Sequence, residues 1–188
     1  MLQPNLRKMP ALQKIDVRES VVLRPLVTTD AAALLAVLES DPSIRERVGF
    51  ASRIHPSDDA ERLTEEEKDD PNLIRYAICE HDIVVGLVSF WRAGEFFGDK
   101  ANPDDYGFGY FLSPSARGRG LVTDSLSALM TVAAENLPIT TFIAFCEADN
   151  AASGALLQKA GFEKTDVTWD DAEDGWVEQK YARTIRKS

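Results

Sequence analysis

Strand-forming and helix-forming segments alternate along the chain. Runs rich in β-branched and aromatic residues, bounded by Gly, Pro, Asn or Asp, are typical of strands. The predicted strands cover residues 21–26, 73–80, 83–92, 106–112, 141–147, 162–169 and 176–184. The predicted helices cover residues 31–38, 57–70, 121–137 and 153–159, with Asp30 as the cap of the first and Gly161 closing the last. Residues 1–17 form a polar lead-in.

The order of these elements predicts one α/β (α+β) domain that spans residues 1–188. Only His81 and Asp82 separate two of the strands, so we expect an antiparallel hairpin there. The order strand, helix, strand follows over residues 106–147. We therefore predict a mixed, mainly antiparallel sheet of about seven strands with about four helices.

Composition narrows the class of protein. A length of 188 residues and a hydrophobic fraction of 44% allow one domain with a packed core. Lys and Arg number 21 against 31 Asp and Glu, and this net charge of −10 disfavours nucleic acid as a partner, because phosphate contacts need clustered cations. The sequence shows neither an apolar signal segment nor an apolar run long enough to span a bilayer. We expect a cytoplasmic protein with no membrane partner.

The sequence offers little for metal or covalent chemistry. His55 and His81 are the only histidines, so we predict no metal site. Cys79 and Cys146 lie far apart in apolar surroundings, which fits a reducing compartment. We interpret Cys146 as a packed residue rather than an acyl-enzyme nucleophile, because no histidine lies near it in sequence.

The strongest chemical signal lies between a strand and a helix. The run Arg117-Gly118-Arg119-Gly120 leads directly into the helix predicted at residues 121–137. Glycines let the main chain present several amides at a helix start, where the helix dipole favours an anion. The run lacks the GK[ST] of a Walker A loop and the third glycine of a dinucleotide fingerprint. It predicts a phosphate site, and the alternative is an ordinary polar turn.

Two segments resemble motifs of the GNAT superfamily of N-acetyltransferases. The run from Arg117 to Val122 is similar to the [QR]xxGx[GA] signature of that family, and residues 150–162 resemble its NxxSxxLxxKxGF segment. Residues 109–112, Gly-Tyr-Phe-Leu, resemble the G-Y-[FW]-L strand of the ribosomal-protein N-terminal acetyltransferases, the RimJ/RimL-like branch. The resemblance extends from about Val21 to Ile185. It implies the GNAT fold and acetyl-CoA as cosubstrate.

The resemblance also implies which residues form the site. The implied cofactor-binding residues are Phe111, Leu112, Arg117, Gly118, Arg119, Gly120, Leu121, Val122, Asn150 and Ser153. Amides around Phe111 and Leu112 would stabilise the oxyanion, and Asn150 would orient the pantetheine arm or a water. Ser153 would protonate the departing thiolate, although it could instead only cap its helix.

The sequence departs from the family pattern at two positions. Val122 stands where the signature usually has Gly or Ala, and Leu157 stands where many members place a tyrosine that protonates the thiolate. The signature helix therefore starts with extra methyl groups, and another proton donor is required.

The sequence does not single out one residue as the general base. An amine must lose a proton before it attacks a thioester, and this is easier for an α-amine, with a pKa of about 8, than for lysine, at about 10.4. The strand at 106–112 has no carboxylate, so we predict Asp171, in the acidic turn at 170–174, as the base. Rivals are Asp170, Glu173, Glu95, Asp104, Asp105 and His81.

Together these features predict an acetyl-CoA-dependent N-acetyltransferase that works by direct attack in a ternary complex. The expected acceptor is the N-terminal amine of a protein or peptide. A small cationic amine, such as a polyamine or an aminoglycoside, suits the acidic chain equally well. A non-enzymatic acyl-CoA sensor is the alternative of another class, because Leu157 and the missing strand carboxylate remove two catalytic groups. A monomer and a homodimer are both compatible with the sequence.

Overall fold

The computed structural model describes residues 13–47, 73–94, 101–171 and 176–185, without the side chains of residues 169–171 and 176. Its strands are β1 (Ile15–Arg18), β2 (Val21–Pro25), β3 (Leu73–Glu80), β4 (Ile83–Arg92), β5 (Asp105–Leu112), β6 (Thr141–Glu147), β7 (Glu163–Asp171) and β8 (Trp176–Thr184). Its helices are α1 (Ala31–Glu39), α2 (Pro42–Arg47), α3 (Leu121–Asn136) and α4 (Ala151–Lys159), with 3₁₀ turns at Thr28–Asp30 and Pro114–Ala116. The strands form a mixed, mainly antiparallel sheet, which confirms the predicted fold class.

The chain divides into two compact units. Unit 1 comprises Met1–Trp91 and Tyr110–Arg117, and unit 2 comprises Arg92–Gly109 and Gly118–Ser188. None of the helices that the structure describes is long and apolar enough to cross a membrane. The helix predicted at residues 57–70 lies outside the described residues.

Among its described residues, unit 1 holds β1, β2, β3 and β4 in that order, each antiparallel to the next, together with the end of β5. The predicted hairpin is confirmed: β3 and β4 pair from Leu73 opposite Trp91 to Glu80 opposite Ile83. His81 and Asp82 form its turn with φ values of 49° and 63°. A two-residue hairpin turn of this kind needs positive φ at both positions, which matches the twist of the strands.

Helices α1 and α2 supply much of the apolar core of unit 1. Leu34 and Leu38 of α1 and Ile44 of α2 pack in one cluster with Leu87 of β4 and Phe111 of β5. Their spacing of four residues in α1 places the leucines on one helical face. This cluster ties the end of β5 to the N-terminal helices.

Asp30 has a different role from the predicted helix cap. It occupies the N-cap position of α1 but makes no side-chain cap bond. Its carboxylate instead accepts two hydrogen bonds from Arg24, at 2.6 and 2.7 Å, and one from the Val27 amide at 2.9 Å. Burial opposes ionisation of Asp30, but these hydrogen bonds, chiefly from Arg24, hold its pKa below the ordinary value. Asp30 thus lies at the predicted N-cap position, but its side chain binds Arg24, a stronger partner than a helix amide.

Unit 2 contains β5 paired in parallel with β6, followed by antiparallel β8 and β7. Helix α3 connects the two parallel strands, as the predicted strand, helix, strand order requires. The parallel ladder runs from Asp105 opposite Thr141 to Phe108 opposite Ala144. Phe108 packs against Phe142, with ring centroids 5.3 Å apart. Aromatic packing and the buried face of α3 form the core of this unit.

Three elements differ from the predicted pattern. Strand β1 adds an eighth strand inside the polar lead-in, where Ile15 is its only fully buried residue. Helix α2, which is not among the predicted helices, begins at Pro42; proline is favoured in a first helical turn because its missing N–H has no partner there. Helix α4 begins at Ala151, two residues before the predicted start.

Candidate active site

The end of β5 in unit 1 is held by close backbone contacts. A Cβ at Gly86 of β4 would collide with the Phe111 carbonyl oxygen and would lie 2.7 Å from Leu112 Cδ1. Beyond them, the Ser113 amide donates a 2.8 Å hydrogen bond to the Val85 carbonyl. Glycine at position 86 therefore allows the segment of the predicted oxyanion donors, Phe111 and Leu112, to approach β4 closely.

Arg117 makes two contacts inside unit 1. Its Nη1 donates to Asp41 Oδ2 at 2.6 Å, and its Nε donates to the Leu112 carbonyl at 3.1 Å. Hydrogen bonds from Ser43 and from Arg117 hold the pKa of the Asp41 carboxyl below its ordinary value. Arg117 thus ties the start of α2 to the end of β5. Its predicted role as a cofactor ligand stays a prediction.

The start of α3 in unit 2 has the backbone expected of an anion site. Gly118 and Gly120 have φ values of 75° and 77°, in the left-handed region that disfavours other residues. Gly120 is the N-cap, no side chain caps the helix, and the first helical bond runs from the Asp124 amide to the Gly120 carbonyl. The three amides before Asp124 therefore have no carbonyl partner within the helix.

The side chains that follow Gly120 are turned into the protein. Leu121 and Val122 are 1% and 6% exposed, so these two residues can offer a ligand little besides their amides. The methyl groups of Val122, one of the two departures from the signature, are accommodated by this burial. Arg119 also belongs to the predicted cofactor-binding set, and its role stays a prediction.

The start of α4 shows whether Ser153 caps its helix, which was one of its two predicted roles. Asn150 is the N-cap of α4, and its Oδ1 accepts a 3.1 Å hydrogen bond from the Ser153 amide. Ser153 therefore lies inside the first turn and is not the cap. Its side chain lies near the Cys146 thiol of β6 and acts to lower the pKa of that thiol. Burial raises the pKa of Cys146, so the thiol is neutral.

A tyrosine that the sequence analysis missed lies at the same end of α4. A Cβ at Gly154 would lie 2.7 Å from the Tyr181 hydroxyl, so the absence of a side chain at Gly154 makes room for the phenol of β8. Burial, and then Cys146, raise the pKa of Tyr181. The residue has no motif around it in sequence. Only the pairing of β8 with β6, Tyr181 opposite Ala144, brings it to α4.

Two glutamates occupy one rung of the sheet in unit 2. Glu147 of β6 and Glu178 of β8 are directly opposite each other, and both are partly buried. Burial, and then the charge of Glu147, raise the pKa of Glu178 to about 7. A carboxyl with such a pKa can accept and release a proton near neutrality. No sequence motif indicates this pair, because its members are far apart along the chain.

The predicted bases lie in several places. Asp171 ends β7 opposite Trp176, but its side chain, like that of Asp170, lies outside the description. Glu95, Glu173 and His55 lie outside the described residues. Asp105, the first residue of β5, is buried, and its Oδ2 accepts a 2.8 Å hydrogen bond from the Asn102 amide. Asp104 and His81 are exposed turn residues.

A comparison of the sequence with known families decides the class of protein. The acetyltransferase (GNAT) domain family matches residues 20–163. The chain belongs to the GNAT acetyltransferases. This confirms the predicted family and the predicted enzyme class, with acetyl-CoA as cosubstrate.

Solved structures share the fold of this GNAT acetyltransferase. RimL, a ribosomal-protein α-N-acetyltransferase in complex with coenzyme A, is 22% identical with a TM-score of 0.78, over 92% of this chain and 98% of its own. The microcin C7 immunity acetyltransferase MccE, with acetyl-CoA and AMP, is 18% identical with a TM-score of 0.77, over 96% and 100%. The aminoglycoside acetyltransferase AAC(6')-Ib with coenzyme A is 23% identical with a TM-score of 0.73, over 88% and 95%. No curated protein matched the sequence.

Proposed function

We propose that this GNAT acetyltransferase transfers the acetyl group of acetyl-CoA to the N-terminal amine of a protein or peptide, by direct attack in a ternary complex. Binding of the acetyl donor, acetyl-CoA, is supported by the uncapped start of α3 after two left-handed glycines. Amides that lack helical partners, at the positive end of a 16-residue helix, suit a diphosphate.

Ser153 is the group proposed to pass a proton to the departing thiolate. Long side chains in a helix lean toward its N-terminus, so the hydroxyl of a tyrosine at position 157 would reach back toward residue 153. Leu157 cannot supply that hydroxyl, whereas Ser153 lies one turn earlier on nearly the same face. Its side chain also lies near the Cys146 thiol of β6, whose pKa it lowers while burial raises it.

Asp171 is the proposed general base, and Glu178 is a second candidate that a specific observation favours. Because the pKa of Glu178 is raised to about 7, its carboxylate is a better match for an α-amine, with a pKa of about 8, than for lysine, at about 10.4. This match also favours an N-terminal amine as the acceptor. The proposed roles of Phe111 and Leu112 as oxyanion donors complete the scheme.

A small cationic amine is the second candidate acceptor. The net charge of −10 suits a polycation, and the fold similarity extends to an aminoglycoside acetyltransferase as well as to RimL. The G-Y-F-L strand at residues 109–112, which resembles that of the RimJ/RimL-like branch, favours the N-terminal amine.

A screen for coenzyme-thiol release tests the proposal. The purified chain is mixed with acetyl-CoA and, separately, with peptides that carry a free N-terminus, the same peptides with a blocked N-terminus and one internal lysine, spermidine, and kanamycin. We expect release with the free N-terminal peptides and little with the blocked ones. Release with kanamycin or spermidine alone would assign the second acceptor class.

A further inference from the structure

The last residue of β5, Leu112, lies between two peptide groups whose directions the structure defines. The Phe111 carbonyl oxygen lies against Gly86 of β4. The Ser113 amide donates a 2.8 Å hydrogen bond to the Val85 carbonyl of the same strand. The carbonyl and the N–H of a trans peptide point in opposite directions, so the amide and the carbonyl of Leu112 itself both point away from β4.

Arg117 binds the Leu112 carbonyl on this second side of the strand. Its Nε donates to that carbonyl at 3.1 Å, and its Nη1 donates to Asp41 Oδ2 at 2.6 Å. The two bonds leave different nitrogens of one planar group, so together they fix the direction of the guanidinium. The other oxygen of the Asp41 carboxylate accepts a 3.0 Å hydrogen bond from the Ser43 amide, which holds the carboxylate at the start of α2. All these residues belong to unit 1.

A hydrogen bond to the Leu112 carbonyl also orients the Leu112 amide. In an extended strand the N–H and the C=O of one residue point to the same side. The Leu112 amide is one of the two donors proposed for the oxyanion, and such a donor is effective only when it is aimed at the position where the charge develops. Loss of the bond from Arg117 would release the carbonyl and let the amide turn.

We propose that Arg117 is a positioning residue for acetyl transfer: its hydrogen bond to the Leu112 carbonyl aims the Leu112 amide at the oxyanion. This role differs from that of the cofactor ligand that the family resemblance implies. The Arg117 side chain is 44% exposed, and ion pairs at such positions contribute little energy, so the bond to Asp41 mainly directs the guanidinium. The proposal rests on the proposed function, in which Leu112 is an oxyanion donor.

Two neutral substitutions separate the hydrogen bond from the charge. In Arg117→Gln the side-chain nitrogen lies as many bonds from Cα as the arginine Nε, so it can donate to the Leu112 carbonyl. Arg117→Met has a methyl carbon at that place and cannot donate. Arg117→Lys keeps the positive charge, which a diphosphate ligand would need. Arg18→Met, at an exposed arginine of β1 in unit 1, is the control.

We expect Arg117→Met to lower kcat at least about tenfold, because a misdirected oxyanion donor loses much of its effect. Arg117→Gln should recover most of that loss, and Arg18→Met should keep the wild-type kcat. The Kd for coenzyme A, from calorimetric titration, should stay within about twofold of wild type in all three Arg117 variants.

Equal kcat values in Arg117→Met and Arg117→Gln would overturn the proposal. A coenzyme A affinity that falls in both neutral variants and survives in Arg117→Lys would overturn it too, and would assign Arg117 to the diphosphate. If Arg117→Met does not fold, Arg117→Gln decides: a kcat at least about tenfold below wild type overturns the proposal, and a smaller loss supports it.

Hydrolysis of acetyl-CoA without any amine separates this proposal from the proposed acceptor. Attack of water on the thioester forms the same kind of oxyanion but needs no acceptor amine. If no amine of the screen is acetylated, the proposed acceptor fails. The Arg117 proposal is then decided by hydrolysis: a rate at least about tenfold slower in Arg117→Met than in Arg117→Gln supports it, and equal rates refute it.

Discussion

Ser153 lies near the Cys146 thiol and one turn before Leu157. Because its amide, and not its hydroxyl, takes part in capping α4, Ser153→Ala leaves the Asn150 cap intact. We expect a fall in kcat of about 100-fold with little change in the KM for acetyl-CoA, measured by steady-state kinetics.

Ser127→Ala is the matched control for this substitution. Ser127 also lies in a helix, where its hydroxyl donates a 2.9 Å hydrogen bond to the Thr123 carbonyl. It should keep the wild-type kcat. Equal kcat values for wild type and Ser153→Ala would remove Ser153 from the mechanism.

Glu178 makes stability depend on pH in a direction opposite to most carboxyls. Its pKa is raised from 4.5 to about 7, so the folded state favours the protonated form. The stability that this proton contributes is complete below about pH 4.5 and is lost as the pH rises through about 7.

Glu178→Gln should therefore remove this loss. At pH 8 the variant should be more stable than wild type by up to about 3 kcal/mol, and at pH 4.5 the two should be similar. Urea denaturation at the two pH values measures the difference. Parallel stability curves for both proteins would show that Glu178 titrates normally. A shifted acid limb of kcat/KM in the variant would separately assign Glu178 as the base.

Among the structural elements, the start of α3 allows a test of coenzyme binding that is distinct from loss of stability. Replacing a left-handed glycine lowers stability wherever it lies, so Gly120 is compared with a left-handed glycine away from α3. Gly120 and Gly161 have φ values of 77° and 85°, and Gly161 lies at the opposite end of α4 from Ser153. Alanine costs about 1 to 2 kcal/mol at either position, because its Cβ disfavours positive φ.

Gly120→Ala should also weaken coenzyme A binding at least about tenfold, whereas Gly161→Ala should lose similar stability and keep its affinity. Calorimetric titration with coenzyme A and thermal unfolding of both variants measure the two effects. Equal affinities in the two variants would contradict a diphosphate site at the start of α3.

The elements with strong local signals could be predicted from the sequence. Strands β3 and β4 have the predicted bounds because β-branched runs and a two-residue turn agree there, and β6 is bounded by Pro138 and Asn150. β1 was missed because four residues with one fully buried side chain give no periodic signal. Its pairing with β2 across the turn at residues 19 and 20 stabilises it, and so short a segment does not show that pairing in its own pattern.

The candidate site could be predicted only where one continuous segment forms it. The glycine turn before α3 and the turn from Asn150 to Ser153 are each formed by consecutive residues. The sequence motif therefore contains all the residues that determine the backbone conformation there. The pairs Arg117 with Asp41, and Tyr181 with Gly154, join residues far apart in sequence. Such contacts depend on strand register and packing, which composition and spacing do not specify.

At the scale of the whole molecule, the net charge of −10 favours cationic acceptors over anionic ones. Charge attraction over long distances is screened by salt, with a Debye length of about 10 Å at 0.1 M. We expect kcat/KM for a polycationic amine to fall several-fold between about 0.05 and 0.5 M NaCl, and more steeply than for a peptide with a single amine. Equal salt dependence for both amines would show that only local charges guide the acceptor.

A crystal structure with bound coenzyme A would show whether main-chain amides at the start of α3 bind the diphosphate of acetyl-CoA. We expect diphosphate oxygens within about 3 Å of the amides of residues 121–123, with the thiol directed toward Ser153. A diphosphate bound elsewhere, with those amides contacting only water or protein, would contradict it.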